Sequence, residues 1–226
     1  MPIVLDYTAE KIPVIASIIV DRCGILLNDT EHVRWETDEL LGWINEGVGA
    51  IINMRPAAGS HISILPLMSG SQQALGDDVV QLLDVVRNIG SDGITPGRAI
   101  TITDRALLDS VDPEWHSGAK KSTIYHYSYD DRLPRVFWVY PPAVAGTKVE
   151  IAYASLPESV DSVDDSVGIG MEYADALVNY VCFRAFAKES EFANGAIAAT
   201  YYGAFQTALG IEVAGAQASS PNATRQ

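Results

Sequence analysis

Ser117-Gly118-Ala119-Lys120 has the Ser-x-x-Lys spacing with which some acyl-transfer enzymes place a lysine amine beside a serine hydroxyl. Such a nucleophile needs partners from a second motif. Here the four residues stand alone in a glycine-containing loop, so a small hydrolase using Ser117 and Lys120 is the weakest reading of the chain. The histidines at 32, 61, 116 and 126 fall at no metal-ligand spacing, and a zinc site needs three or four converging ligands. The pairs Asp77-Asp78, Asp130-Asp131 and Asp164-Asp165 could do acid–base work only if the fold brought them to a common target. As neighbours in turns they read as solvated. Asp161, Asp164 and Asp165 lack the glycine-turned pattern of a calcium loop. No nucleophile elbow, phosphate-binding glycine loop or dinucleotide fingerprint is present in the sequence. The expectation is a protein with no catalytic residue, no metal and no cofactor.

Charge is the outlying property. Twenty-nine acidic against 15 basic residues give −14 over 226 residues. Such a chain repels nucleic-acid phosphates, which argues against sequence-specific DNA or RNA binding. Cys23 and Cys182 sit in apolar helical contexts and read as reduced core thiols. The opening Met1-Pro2-Ile3-Val4-Leu5-Asp6 has neither a charged leader region nor a small-residue cleavage site. The apolar run Ile12 to Val20 is broken by Pro13 and too short to span a bilayer. These features predict a soluble protein, made in the cytoplasm, with no membrane association.

Apolar residues at three- and four-residue steps predict a helix from Thr8 to Leu27, ended by the turn chemistry of Asn28-Asp29-Thr30. A second helix runs from a Thr37 cap to about Asn53 and stops before Arg55-Pro56. Its apolar face carries Leu40, Leu41, Trp43 and Ile44, with Trp35 just ahead of it. Strands are predicted at His61–Leu67, Val79–Asn88, Ala99–Thr103, Thr123–Tyr129, Arg135–Tyr140 and Thr147–Ala154. A short helix capped by Asp104 separates the third and fourth, and Pro141-Pro142 with Gly146 supply the last turn. Leu156 to Gly170 reads as a polar, acidic connector. Helix returns at Met171 with Tyr173, Leu177, Tyr180, Val181 and Arg184 on one face. A final alanine-rich helix is predicted from about Glu191 to Leu209, weakened at Asn194-Gly195 and closed by Gly210. The Ala/Ser/Gly tail beyond 214 has the composition of a disordered arm. The fold class is therefore α+β: two N-terminal and two C-terminal helices forming a bundle (1–57 and 157–210), an inserted antiparallel β domain (58–156) and an extended C-terminal arm (211–226). The tryptophans at 35, 43, 115 and 138 read as packing residues rather than as a sugar platform.

Ordered marks spread over most of the chain resemble the head-to-tail connector, or adaptor, proteins of short-tailed bacteriophages. They are Leu26-Leu27-Asn28-Asp29, Arg34-Trp35, the run Glu39-Leu40-Leu41-Gly42-Trp43-Ile44-Asn45-Glu46, and Arg55-Pro56. Val86-Arg87-Asn88, Pro113-Glu114-Trp115, and Arg135 through Tyr140-Pro141-Pro142 follow. The last is the helix with Tyr173, Tyr180-Val181 and Phe183-Arg184-Ala185-Phe186-Ala187-Lys188. Gly47 and Val48 depart from the pattern, which carries polar residues there, and this bears on local helix stability. The resemblance implies a structural virion protein of the neck, with no enzymatic activity. It would form a closed ring with itself, of about twelve copies, dock on the portal protein, carry the tail nozzle protein, and leave a channel through which DNA passes unread. Within that frame Ile211, Glu212, Val213 and Arg225 are candidates for a portal-docking arm. Lys120, Lys121, Arg132 and Arg135 are candidates for contact with a neighbouring subunit or the tail, because basic residues are few here and cluster there. Trp35, Leu40, Leu41, Trp43, Tyr140, Pro141, Tyr180 and Arg184 are packing positions of the family pattern.

Two other readings share these features. A β-sandwich module that binds a receptor or carbohydrate would expose its tryptophans. A tail-completion or nozzle protein would share the acidic charge and differ in its partner.

Overall fold

The computed structural model describes residues 13–188, 190 and 192–219. The chain divides into two compact units, residues 1–58 with 157–226, and residues 59–156. Its architecture is mixed α and β, with five α-helices among the described residues and sheets whose strand pairs are antiparallel except one.

In the helical unit the first described element is a strand, β1 (Pro13–Ile15), and not the start of a helix. Pro13 has no N–H for a helical ladder, and Val14 and Ile15 are β-branched and suit pairing. β1 pairs antiparallel with β10 (Ser166–Gly170), so the end of the predicted connector is a strand that buries Val167 and Ile169. The predicted residues 8 to 12 of the first helix lie outside the described residues. Helix α1 (Ala16–Leu26) begins as the chain leaves β1. No side chain caps it; the Ala16 and Ser17 N–H groups donate to the Asp165 and Val163 carbonyls instead.

The end of α1 is a Schellman turn. Asn28 adopts the left-handed conformation at φ 54, its N–H reaches the Ile25 carbonyl, and the Asp29 N–H reaches the Gly24 carbonyl. The Asp29 carboxylate then accepts the backbone N–H groups of Val33, Arg34 and Trp35 at 3.0, 2.9 and 3.1 Å. This fixes the approach to α2 (Thr37–Met54), whose cap position is Glu36, one residue ahead of the predicted Thr37. Trp35, 2% exposed, packs between Phe186 and Phe192. Asn45 of α2 holds the acidic connector by exchanging two hydrogen bonds with the backbone of Val160.

Helix α4 (Ala174–Ala187) packs on α2 where Gly47 lies. A β-carbon at Gly47 would sit 2.6 Å from Leu177 Cδ1 and 2.9 Å from Tyr180 Cδ1. The residue that departs from the family pattern is thus the one that lets two helices approach closely. Gly42 on the same helix is exposed and faces open space. Opposite results follow. Gly42→Ala is expected to stabilise by about 0.5–1 kcal/mol, whereas Gly47→Ala is expected to destabilise by about 1–2 kcal/mol despite the same gain in helix propensity. Urea denaturation of the two variants checks the pair; a Gly47→Ala variant as stable as wild type or more so would refute the close-approach account.

Helix α5 (Gly195–Ser219) starts later than predicted and runs further. Asn194 is its cap, accepting the Ile197 N–H at 3.1 Å, so the pair expected to weaken a first turn supplies the cap. Glu191, the predicted start, lies outside the described residues. Gly210 does not close the helix. The following Ile-Glu-Val-Ala-Gly-Ala-Gln-Ala-Ser continues it, and its three alanines, Glu212 and Gln217 are good helix formers. Residues 214–219, whose composition is that of a disordered arm, continue α5 as far as Ser219.

The second unit, residues 59–156, is a sandwich of two four-stranded sheets. The first has strand order β2 (Ser60–Pro66), β9 (Lys148–Ser155), β4 (Val79–Ile89), β5 (Pro96–Ala99). The second has order β3 (Gly70–Ala74), β8 (Val136–Ala143), β7 (His126–Tyr129), β6 (Thr101–Ile102). Leu82, Val85, Val149 and Ile151 from the first and Tyr127, Phe137, Val139 and Ala143 from the second share one core. The predicted Ala99–Thr103 strand is two strands, β5 and β6, one in each sheet, and β6 pairs parallel to β7. Pro141-Pro142 do not form a turn: β8 continues through them, with a cis Tyr140–Pro141 bond, and the turn follows at Val144 to Thr147. Helix α3 (Arg105–Val111) is capped by Asp104, whose carboxylate accepts the Ala106 N–H.

Candidate functional site

Residues 59–156 hold eight lysines and arginines. Four are engaged by carboxylates of the same unit: Arg87 with Glu150, Arg105 with Asp109, Arg132 with Asp130 and Arg135 with Asp77. Arg132 forks onto Asp130 through Nε and Nη2 at 2.9 and 2.8 Å. These bonds, with the Arg132 backbone N–H, hold the Asp130 carboxyl down at about 2. Arg135 also donates from Nε to the Val79 carbonyl at 2.9 Å. Two of the four residues singled out from the sequence therefore spend their charge within their own unit.

The other four cations make no ion pair with a described carboxylate. Lys148 donates to the Ser91 carbonyl and Lys120 to the Ser69 hydroxyl. Arg98 and Lys121 converge on one ring: Arg98 Cζ lies 4.8 Å and Lys121 Nζ 5.5 Å from the centroid of Tyr125. Both cations are exposed and Tyr125 is half-buried. A ring face attracts a cation through its quadrupole without neutralising it, so the positive charge still faces solvent.

The backbone under this patch is pinned by Asn88, a buried amide near the end of β4. Its Nδ2 donates to the Arg98 and Ile124 carbonyls at 2.9 and 2.8 Å, and its Oδ1 accepts the Ile124 N–H at 2.8 Å. One side chain thus ties the segment carrying Arg98 to the segment carrying Tyr125. Lys121 is fixed separately, its backbone exchanging hydrogen bonds with Pro142 and Val144. The sequence marked Val86-Arg87-Asn88 only as part of a pattern. A polar residue inside an apolar strand run was the available signal. Arg98 and Tyr125 carried none, because 26 residues and a change of sheet separate them.

An open groove of about 610 Å³ lies beside α3, lined by Ile102, Arg105, Asp109, Tyr129, Asp130 and Trp138 among others. Arg105 stacks over the half-buried Trp138, 4.9 Å from its centroid. None of the residues of α3 is buried, and Ile102, Leu107 and Val111 are exposed. The helix is held through Asp109, which accepts the Nε1–H of the buried Trp115 at 2.9 Å.

The residues weighed for catalysis are not assembled into a site. The Ser117 hydroxyl donates to the Glu114 carbonyl, while Lys120 turns to Ser69. His116 pairs with Ser71 at 2.8 Å and His126 with Thr101 at 2.7 Å. No group of three or more metal-type ligands occurs among the described residues. Cys23 and Cys182 are buried free thiols, and the neighbouring Cys182 together with burial pushes the Cys23 thiol well above its ordinary range.

The pattern residues of the helical unit pack as their types require. Leu40, Leu41 and Trp43 are buried in α2, Tyr180 lies edge-on to Phe183 and Phe205, and Arg184 pairs with Glu46. In the sandwich, Trp115 packs edge-on against Tyr140, and Pro141 is buried. Ile211, Glu212 and Val213 lie in the helical backbone of α5. Arg225 lies outside the described residues. Leu209 is 2% exposed, and its carbonyl accepts a hydrogen bond from Arg55 at 2.8 Å. No described helix is long and apolar enough to cross a membrane.

Charge divides unevenly between the units. Residues 1–58 and 157–226 hold 18 acidic and 7 basic residues, whereas 59–156 hold 11 and 8. Within the helical unit Arg22, Arg184 and Lys188 are already paired with Asp175, Glu46 and Glu39. A comparison with curated proteins finds no match. The family model described as SU10 adaptor protein matches residues 15–225, which takes in both units and α5. A match over residues 15–225, almost the whole length, decides the family: the chain belongs to the SU10 adaptor protein family, a family of structural bacteriophage adaptors.

Proposed function

We propose that this protein is a ring-forming head-to-tail adaptor of the virion neck. It docks on the portal, carries the tail nozzle and leaves a channel for DNA. The family match over residues 15–225 carries this reading. In it, the helices of residues 1–57 and 157–210 form a bundle, and 58–156 are an inserted β domain. Residues 211–226 are the portal-docking arm, with Ile211, Glu212, Val213 and Arg225 as contacts. Lys120, Lys121, Arg132 and Arg135 belong to the surface that meets a neighbouring subunit or the tail. A closed ring requires each copy to offer two different surfaces, one to each neighbour.

The acid balance supports the channel. About twelve copies at −14 would carry roughly −168 before screening, which repels the phosphate backbone and lets DNA slide. Reversing carboxylates that line the channel is expected to slow genome ejection; an unchanged rate would count against this. The arm reading is supported by the course of α5, which runs nine residues past Gly210 to Ser219. Weak contacts repeated around a ring add up through avidity. Deleting residues 211–226 is expected to abolish co-purification with the portal protein from the same genome while leaving the rest of the chain folded. Undiminished binding would remove the arm assignment.

A further inference from the structure

We propose that the Arg98–Tyr125–Lys121 patch is the positive half of the seam between adjacent copies, and that it meets the acidic helical unit of the next copy. The inference rests on the adaptor reading. It adds which surface of the sandwich is used and what chemistry its partner has.

Three observations carry it. The patch is built: Asn88 fixes the Arg98 and Ile124 backbones with three hydrogen bonds, so the cations are presented from a rigid base. It is unspent: Arg98 and Lys121 lie over Tyr125 and form no ion pair with a described carboxylate, whereas Arg87, Arg105, Arg132 and Arg135 do. It also has a complement on the same chain. The helical unit's 18 acidic residues outnumber its 7 basic ones, three of which are tied internally. Exposed carboxylates such as Asp21, Glu36, Asp38 and Glu158 have no described cation as ion-pair partner.

A two-fold contact with its axis through the patch would set cation against cation, which like-charge repulsion disfavours. A head-to-tail contact sets the patch against the helical unit and repeats around a ring. Duplex DNA is the poorer partner. Two cations release about two counterions' worth of binding, against a subunit carrying −14. Tyr125 adds a flat, rigid surface at the contact, the kind of side chain that interfaces favour.

The test compares wild type, R98E/K121E and the charge-keeping R98K/K121R, each full length. Ring formation with the portal is read by native mass, and thermal melting confirms folding. Wild type and R98K/K121R are expected to assemble alike. R98E/K121E is expected to need at least about tenfold more protein for half-assembly. Wild-type assembly is also expected to weaken as salt rises from about 0.1 M toward 1 M, where the screening length falls to roughly 3 Å. This salt arm stands even if the reversal variant fails to fold. Ring formation by folded R98E/K121E at wild-type concentration, or salt-insensitive assembly, would overturn the seam and leave the adaptor reading intact. R98E/K121E that forms rings yet loses low-salt binding to a duplex oligonucleotide would assign the patch to DNA instead. A wild-type chain that forms no ring would overturn the adaptor reading, and the seam with it.

Discussion

Asn88→Ala is expected to destabilise the sandwich by about 2–4 kcal/mol. The cost does not come from lost volume. It comes from leaving the Ile124 N–H and the Arg98 and Ile124 carbonyls without the partner that now satisfies them at 2.8–2.9 Å. A buried donor or acceptor stripped of its partner costs its full desolvation. Asn88→Asp is the sharper variant. It keeps an acceptor for the Ile124 N–H but aims a buried charge at two carbonyl oxygens. It is expected to be worse than alanine at neutral pH and to recover partly in acid, where a protonated carboxyl can again donate. Urea denaturation at pH 7 and pH 5 reads both. A loss under about 0.5 kcal/mol for Asn88→Ala, the range of an ordinary surface change, would mean that the amide pins nothing. Because the same bonds seat Arg98 and the segment leading to Tyr125, both variants are also expected to weaken ring assembly beyond their effect on melting.

The second large effect is at Asp29. Asp29→Ala is expected to cost the helical unit about 2–4 kcal/mol, since the N–H groups of Val33, Arg34 and Trp35 lose one shared acceptor. Burial pushes the Asp29 carboxyl upward, but the hydrogen bonds from Trp35, Arg34 and Val33, with the nearby His32, outweigh it and leave it below the ordinary carboxylate value. A carboxyl depressed in the folded state contributes stability that is fully present above its unfolded value, about 3.9. That contribution is lost as pH falls through the folded value. Wild type is therefore expected to lose stability as pH drops below about 4, and Asp29→Ala to show a flatter acid limb. Asp92, which is exposed, and Asp130, which is half-buried, are each held at about 2 by local hydrogen bonds and act in the same direction. An acid limb in Asp29→Ala as steep as that of wild type would show that the loop carboxylate carries no linkage.

The residues legible in the sequence were those whose local chemistry agreed with their tertiary setting. The α2 helix shows it: Leu40, Leu41, Trp43, Ile44, Val48, Ile51 and Ile52 keep helical spacing and all are buried. β4 was readable from its valines. β3 was not, because Gly-Ser-Gln-Gln-Ala has no strand-forming side chain. It is held by pairing with β8 and by Gln73, whose amide ties down Met68 and Gly70. β10 was hidden by its acidic flank and its glycines, though Val167 and Ile169 do alternate inward. Pro141-Pro142 misled because two prolines usually stop a strand. At Gly210 the helix formers on both sides outweigh the one glycine. The resemblance found the family, yet the patch was only half visible. Lys121 was singled out for being basic in a basic-poor chain. Arg98 joined it only through a parallel pairing of β6 with β7 and a buried amide from the opposite sheet.

In the proposed function this chain works as a ring seated on a portal. Native mass spectrometry of the chain alone and mixed with the portal protein of the same genome tests it most directly. A single complex of fixed stoichiometry, with about twelve adaptor copies closing one ring, is the expected result. A small oligomer of constant mass, indifferent to the portal, would contradict the claim and turn attention to receptor or carbohydrate binding by the sandwich.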